Sequence, residues 1–338
     1  MPLAHTSLVV LCLSAGFGVG CVGGDEDSVR PRDSRQNRPD DTQDSSEDSS
    51  PDSTDATAPP VPACAAYGPS AQLGTVVDET LNEISGIAVS RRNPEVLWVH
   101  EDHGGLNEIY ALDHTGASLG KVVLEGVENN DWEDLAVGVC GDSTCVYVGE
   151  TGDNDFDRTF HAVYRFPEPE VPLTGGLELA VIPETFAYTW PDGGFHDAEA
   201  LAVLADGTPV IFTKEFSLET STAHRFPVLD SAQTVVLIEG ATFSTGESGD
   251  GGGAATTAAD LWPDDSHLLL RTYAHIWDFS TGGSLDSLAD APRAEWHTGS
   301  ERQGEAMAFD PPARGFWTVG EGVSSPLWFT GCGDPTVH

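Results

Sequence analysis

One short pattern recurs between residues 85 and 309, always at the head of a β-run. Small or acidic residues come first, followed by an apolar residue, an alanine and a second apolar residue. The copies are Ser85, Gly86, Ile87, Ala88, Val89; Glu133, Asp134, Leu135, Ala136, Val137; Glu199, Ala200, Leu201, Ala202, Val203; and Glu305, Ala306, Met307, Ala308, Phe309. A degenerate copy, Thr257, Ala258, Ala259, Asp260, Leu261, fills the one gap. Repetition at a period of about 45 to 65 residues, with short strands after each copy, predicts an all-β chain folded as a single β-propeller.

Each copy is followed by further β-runs that build out a blade. Second runs are expected at Val96 to His100, Val146 to Val148, Pro209 to Thr213, Leu268 to Thr272 and Phe316 to Val319. Third runs are expected at Glu108 to Leu112, Ala162 to Phe166, His224 to Val228, His275 to Phe279 and Leu327 to Thr330, and fourth runs at Lys121 to Leu124, Glu184 to Tyr188, Thr234 to Ile238 and Arg293 to His297. The last repeat has no fourth run, and Gln72 to Val77 supplies it from the start of the domain, so that the ring closes without a free sheet edge. Five blades result, or six if the long stretch from Pro167 to Phe195 holds another.

Charge narrows the partners. The 338 residues carry 55 Asp and Glu against 15 Lys and Arg, a formal net charge of −40, and lysine occurs only at Lys121 and Lys214. Such a surface repels a polyanion, which argues against nucleic acid as a partner. Solubility and cation binding both account for so much acid.

Residues 1–21 read as a signal peptide, because the apolar run is too short to span a bilayer as a helix. Cys21 follows Gly18, Val19 and Gly20, which resembles the lipobox of bacterial lipoproteins and implies lipidation of Cys21, with plain secretion as the alternative. Either route leads out of the cytoplasm, the first to a membrane of the bacterial cell envelope. Residues 22–63, rich in Asp, Ser and Pro, bury too little apolar surface to order and read as an acidic tether. The propeller then occupies residues 64–338, expected to be monomeric and to touch a membrane only through the N-terminal lipid. Its four cysteines, Cys64, Cys140, Cys145 and Cys332, suit two disulfides, for which three pairings exist. Cys140 and Cys145 flank a four-residue turn and should close that hairpin, leaving Cys64 with Cys332. The spacing lacks the two close cysteine pairs of a zinc ribbon.

Several segments carry a family likeness. Arg91, Arg92, Asn93, Pro94; the run Asp131 to Asp134; Gly149 to Asn154; and Gly304, Glu305, Ala306 look like those of a group of secreted bacterial propellers. That group is distantly similar to the esterase-like phytase family and to gluconolactonase-type propellers. The likeness covers roughly residues 72 to 330 and implies, beyond the fold, metal-dependent hydrolysis of a phosphoester, an ester or a lactone.

In a propeller, residues before an inner strand and after its neighbour emerge on the same face. Here the first group includes Glu83, Asp131, Glu133, His196, Asp197, Glu199, Gln303 and Glu305, and the second Glu101, Asp102, His103, Glu150, Asp153, Asn154, Lys214, Glu215, Arg271 and Glu321. So many carboxylates around one mouth repel unless some are protonated or a hard cation joins them, and six to eight oxygens suit calcium. Asp131, Glu133, Glu150, Asp153, Asn154, Glu199 and Glu305 are the expected ligands of a Ca2+ ion; capping of strand ends is the other role open to them. His196 beside Asp197 suits a general base on water, and Lys214 and Arg271 suit an anionic group. No EF-hand begins at Asp153, since its twelfth position is Tyr164. A phosphate-cradling P-loop is absent from the sequence. Most tryptophans fall in strands and read as packing, with Trp132 standing out among the acids. The leading function is therefore an exported propeller that binds an unidentified ligand or protein at its acidic face through calcium. Metal-dependent hydrolysis and a metal-free interaction module are the alternatives.

Overall fold

A computed structural model describes residues 63–247 and 249–333. The leader, Cys21 and almost all of the tether lie outside the described residues. After β1 (Ala71–Thr75), blade 1 is built from β2 (Ile84–Val89), β3 (Val96–Glu101), β4 (Glu108–Asp113) and β5 (Ser118–Leu124). Blade 2 holds β6 (Trp132–Cys140), β7 (Ser143–Glu150) and β8 (His161–Pro167); after β9 (Leu177–Val181), β10 (Glu184–Thr189) adds its fourth strand. Blade 3 holds β11 (Ala200–Val203), β12 (Pro209–Phe212) and β13 (Thr220–Arg225); after β14 (Val235–Val236), β15 (Ile238–Ser244) is its fourth. Blade 4 is β16 (Thr256–Leu261), β17 (His267–Thr272), β18 (Ile276–Ser280) and β19 (Arg293–Trp296). Blade 5 is β20 (Gly304–Asp310), β21 (Gly315–Gly320) and β22 (Pro326–Gly331), completed by β1 alongside β22.

The repeated motif forms the inner strands β2, β6, β11, β16 and β20. Nearest the axis the blades crowd together, and alanine at alternate positions lets them approach: Ala88, Ala136, Ala202 and Ala308 are all buried. Gly86 replaces the alanine or aspartate of the other copies because a Cβ there would lie 2.5 Å from Nε2 of the buried His100. Five apolar clusters fill the seams between adjacent blades, with Trp98 and Trp132 in one and Trp317 in another. Trp132 is thus core, edge-on to His100 at 5.9 Å.

The stretch from Pro167 to Phe195 holds no sixth blade. It doubles back to lay β9 parallel to β5 of blade 1, then returns as β10. Asn93 anchors it, donating to Pro169 O (2.9 Å) and accepting from Val171 N (2.9 Å). The buried Glu168 accepts from Trp98 Nε1 (3.1 Å) and Thr144 Oγ1 (2.7 Å). Blade 3 departs from expectation in the same way. Its third strand lies at Thr220–Arg225, ahead of Pro227, which has no N–H to offer a ladder; Val235–Val236 pairs in parallel with β10, and the fourth strand starts only at Ile238. In both places an apolar run serves the edge of the blade before, β9 beside β5 and β14 beside β10.

Both expected disulfides are present, Cys64–Cys332 and Cys140–Cys145, with sequence separations of 268 and 5 residues. Loop-closure entropy gives about 6 kcal/mol for the first and about 2 kcal/mol for the second. Urea unfolding should therefore show Cys64→Ser/Cys332→Ser losing clearly more stability than Cys140→Ser/Cys145→Ser. Equal losses would contradict the role of the long bond as the ring's clasp.

Candidate functional site

The inner strands do not run straight into the channel mouth. β2, β6, β16 and β20 each carry a bulge within their first turns of the pleat, at Ser85, at the Glu133–Asp134 pair, at Thr257 and at Glu305. An extra residue in one strand bends it and re-aims a side chain, so the variable first positions of the motif turn toward the axis. Where the bulge residue is a hydroxyl it ties neighbouring blades together. Ser85 Oγ donates to Glu133 O (2.5 Å) and Thr257 Oγ1 to Gly304 O (3.0 Å). Glu199, one residue before β11, occupies the matching place in blade 3.

Glu133 lies at the centre of the resulting acid cluster. It belongs to two groups, Asp102, Asp131, Glu133 and Glu133, Asp197, Glu199; in each, one oxygen from every residue lies within 4.8 Å of the others. Burial, then the charges of Asp102, Asp131 and Asp197, push the Glu133 carboxyl well above the usual range, while Lys214 pulls it down. Burial likewise raises Asp102, Asp131, Asp197 and Glu305. Nearer solvent, Glu101 and Glu321 are pushed up to about 7 by burial and by neighbouring acids. Gly152 makes room for the cluster. A Cβ on it would lie 2.0 Å from Glu133 Oε1 and 2.6 Å from Asp131 Oδ2.

Two side chains supply most of the countercharge. Lys214, buried, contacts Glu199 and donates to Tyr273 Oη at 3.1 Å, with its ammonium over the Phe216 and Tyr273 rings at 5.2 Å each. The Glu133, Asp197, Glu199 group thus already holds a cation of its own. Arg158 bonds Glu150 and Gly152 O and reaches Asp131 at 3.6 Å. The Asp102, Asp131, Glu133 group is the more open of the two, and Asp102 Oδ1 is buried there without a partner.

Of the expected ligands, Asp131, Glu133 and Glu199 come together, joined by Asp102 and Asp197. Glu150 instead pairs with Arg158, and Asp153 Oδ1 accepts from the backbone N–H groups of Asp157 (2.9 Å) and Arg158 (3.0 Å). Asn154 is exposed at the loop tip. Glu305 sits at the edge of the mouth, accepting from Gln303 Nε2 at 3.4 Å. His196 does not act with Asp197: it bonds Asp192 at 3.1 Å and packs on Trp190, while Asp197 Oδ1 accepts from Asp153 N (2.9 Å). The two neighbours, in the loop between β10 and β11, thus bond different partners. The histidine at the cluster is His103, bonded to Asp131 Oδ1 at 3.1 Å with its side chain largely exposed. Arg271 is buried between blades 4 and 5, held by Glu301 and by Ala306 O (2.9 Å).

Sequence reasoning passed over Asp134. Its Oδ2 accepts from Leu201 N (3.0 Å) and Ala259 N (3.1 Å), and its Oδ1 from Leu135 N (2.8 Å), so one carboxylate of β6 holds β11 and β16. Asp260, two blades further on, accepts in the same way from Phe309 N of β20 at 2.9 Å. The available signal is the tandem acid in the second copy, opposite the single residue Gly149. At the other end of the channel a cavity of about 480 Å³ opens among Ala88, Val137, Leu261, Phe309 and Arg91, away from the acid cluster.

No family model matches this chain, and no curated protein matches it in sequence. Solved structures do share its shape. The major allergen Mala s 1 of Malassezia sympodialis aligns with a TM-score of 0.50 at 13% identity, over 78% of this chain and 97% of that one. A protein named as a gluconolactonase by a structural-genomics consortium aligns with a TM-score of 0.43 at 11% identity, over 80% and 93%. At such identities the likeness concerns the fold, and the fold is a five-bladed β-propeller.

Proposed function

We propose that this chain is an exported, lipid-anchored propeller whose acidic face binds a divalent cation, calcium by its preference for oxygen donors, and through that face a ligand or protein partner. The observation that carries the reading is the pair of carboxylate groups sharing Glu133, with Gly152 cleared beside them. Asp102, Asp131 and Glu133 would hold the ion, and Lys214 would keep neutralising Glu199 next to it. Clustered carboxylate oxygens are the donor set that calcium takes.

The surroundings of the mouth support recognition of a further molecule. Every exposed phenylalanine among the described residues, Phe156, Phe160, Phe195 and Phe216, lies on loops of this face. Phe156 is held out at a φ of 55°, a left-handed conformation that a bulky residue rarely adopts. Apolar side chains gathered beside a charged mouth mark an interaction surface. The two disulfides fit an oxidising compartment outside the cytoplasm. Hydrolysis is a second reading, favoured by His103, which is placed at Asp131 to act as a base on a water beside the cluster.

Calcium added to the metal-free protein should raise its unfolding temperature. Glu133→Gln and Gly152→Ala should each weaken that effect at least about tenfold in calcium concentration, the equivalent of 1.4 kcal/mol, and Glu199→Gln should do so less. No stabilisation of the wild type would sink the proposal; equal stabilisation of all four proteins would show that other residues bind the ion.

The pH dependence follows from the same groups. Their folded pKa values lie above the unfolded ones, so the stability they contribute is fully present below the unfolded values and is lost as pH rises through the folded ones, about 7 for Glu101 and Glu321. In chelator, the unfolding temperature should fall between about pH 5 and pH 8, and less so in Glu133→Gln. Calcium should remove most of the wild-type fall; an identical fall in both proteins would contradict the assignment of Glu133.

A further inference from the structure

Beside the acid cluster, where blade 2 packs on blade 3, lie four buried polar atoms with no partner: Asp153 Oδ2, His161 Nε2, Tyr188 Oη and Trp190 Nε1. Their residues are 1%, 4%, 2% and 3% exposed. The three rings pack together, His161 to Tyr188 at 5.6 Å, His161 to Trp190 at 6.1 Å and Tyr188 to Trp190 at 5.4 Å. His161 Nε2 stands 3.8 Å from Asp153 Oδ2, too far for a hydrogen bond. Burial pushes the Tyr188 hydroxyl up, and Arg158, Glu150, Asp197 and Asp153 are the charged groups that act on it.

We propose that this seam holds one ordered water molecule bound by Asp153, His161, Tyr188 and Trp190. The donors and acceptors balance. Asp153 Oδ2 can only accept, Trp190 Nε1 can only donate, Tyr188 Oη can donate, and a neutral His161 carrying its proton on Nδ1 accepts at Nε2. Water donates twice and accepts twice, and so completes all four. A metal ion would suit Asp153 and His161 but would leave the Trp190 N–H unmatched. Burial pushes His161 down to about 4, which keeps the ring neutral at physiological pH. The four atoms are polar, buried and without partners, the setting in which buried water is an integral part of a fold.

The water has a structural consequence for the acid cluster. Asp153 donates its N–H to Asp197 and caps the turn that carries Arg158 through Oδ1. Holding Asp153 by its second oxygen therefore steadies the loop that bears Gly152 and Arg158. His161, Tyr188 and Trp190 are positioning residues for Asp197. This inference does not rest on the presence of a divalent cation.

Long-range proton–nitrogen NMR of the 15N-labelled full chain, in chelator at neutral pH, reads the His161 tautomer directly. Protonation at Nδ1 with Nε2 accepting is the expected result, together with electron density for one water within hydrogen-bond distance of the four atoms in a high-resolution crystal structure. Protonation at Nε2 with direct donation to Asp153, or a dry seam, would overturn the proposal. His161→Phe, which removes the acceptor and fills the space, should shift the Asp153 amide signal. An unshifted signal in the folded variant would overturn the positioning role, and the wild-type spectrum decides the water site even if that variant fails to fold.

Discussion

The ring depends on how five inner strands, each short and crowded, are kept in register around a common axis. Asp134 does this for three of them, with its carboxylate accepting from its own strand and from β11 and β16. Backbone N–H groups on the channel-facing edge of inner strands have no ladder partner there, and leaving them buried and unpaired is costly. A carboxylate with two oxygens serves several such donors at once. Asp260 extends the device to β20, Thr257 adds a second tie between β16 and β20, and Ser85 joins β2 to β6 through a backbone carbonyl. The cost is a buried carboxyl whose ionisation burial opposes, as the raised values of Asp134 and Asp260 record.

The same bulge that turns Asp134 into the ring also places Glu133 in the mouth. Fold and site therefore share one local distortion, and their electrostatics are connected. Each carboxylate drawn into the mouth raises the free energy of its neighbours' ionised forms, and Lys214 and Arg158 offset only part of that repulsion. Lys214 is committed to Glu199 and Arg158 mainly to Glu150, which leaves Asp102, Asp131 and Glu133 as the least compensated group. On the proposed reading, an external divalent cation would add what the chain's own few basic residues do not supply.

Much of this architecture was legible in the residue order. The alanine motif marks the inner strands because crowding near the axis selects small side chains, and the paired cysteines follow from their distances along the chain. Blade 3 was misread at its outer strands because an apolar run does not disclose which sheet it joins: Val235 and Val236 serve the edge of blade 2. In the site, Glu133 and Glu199 were recognisable from their fixed place before the alanine. Glu150, Asp153 and Asn154 were grouped with them by loop position alone, whereas the fold of that loop spends Glu150 on Arg158 and Asp153 on backbone caps. His196 and Asp197 are adjacent in sequence and bond different partners, and the roles of Gly152 and Asp134 depend on contacts between separate strands that local spacing does not contain.

The cation site centred on Glu133 is tested most directly by anomalous diffraction from a crystal grown with calcium. The account predicts an anomalous peak at about 2.3 to 2.6 Å from oxygens of Asp102, Asp131 and Glu133. A crystal saturated with calcium that shows no peak there, with these carboxylates paired only to Arg158, His103 and Lys214, would contradict it.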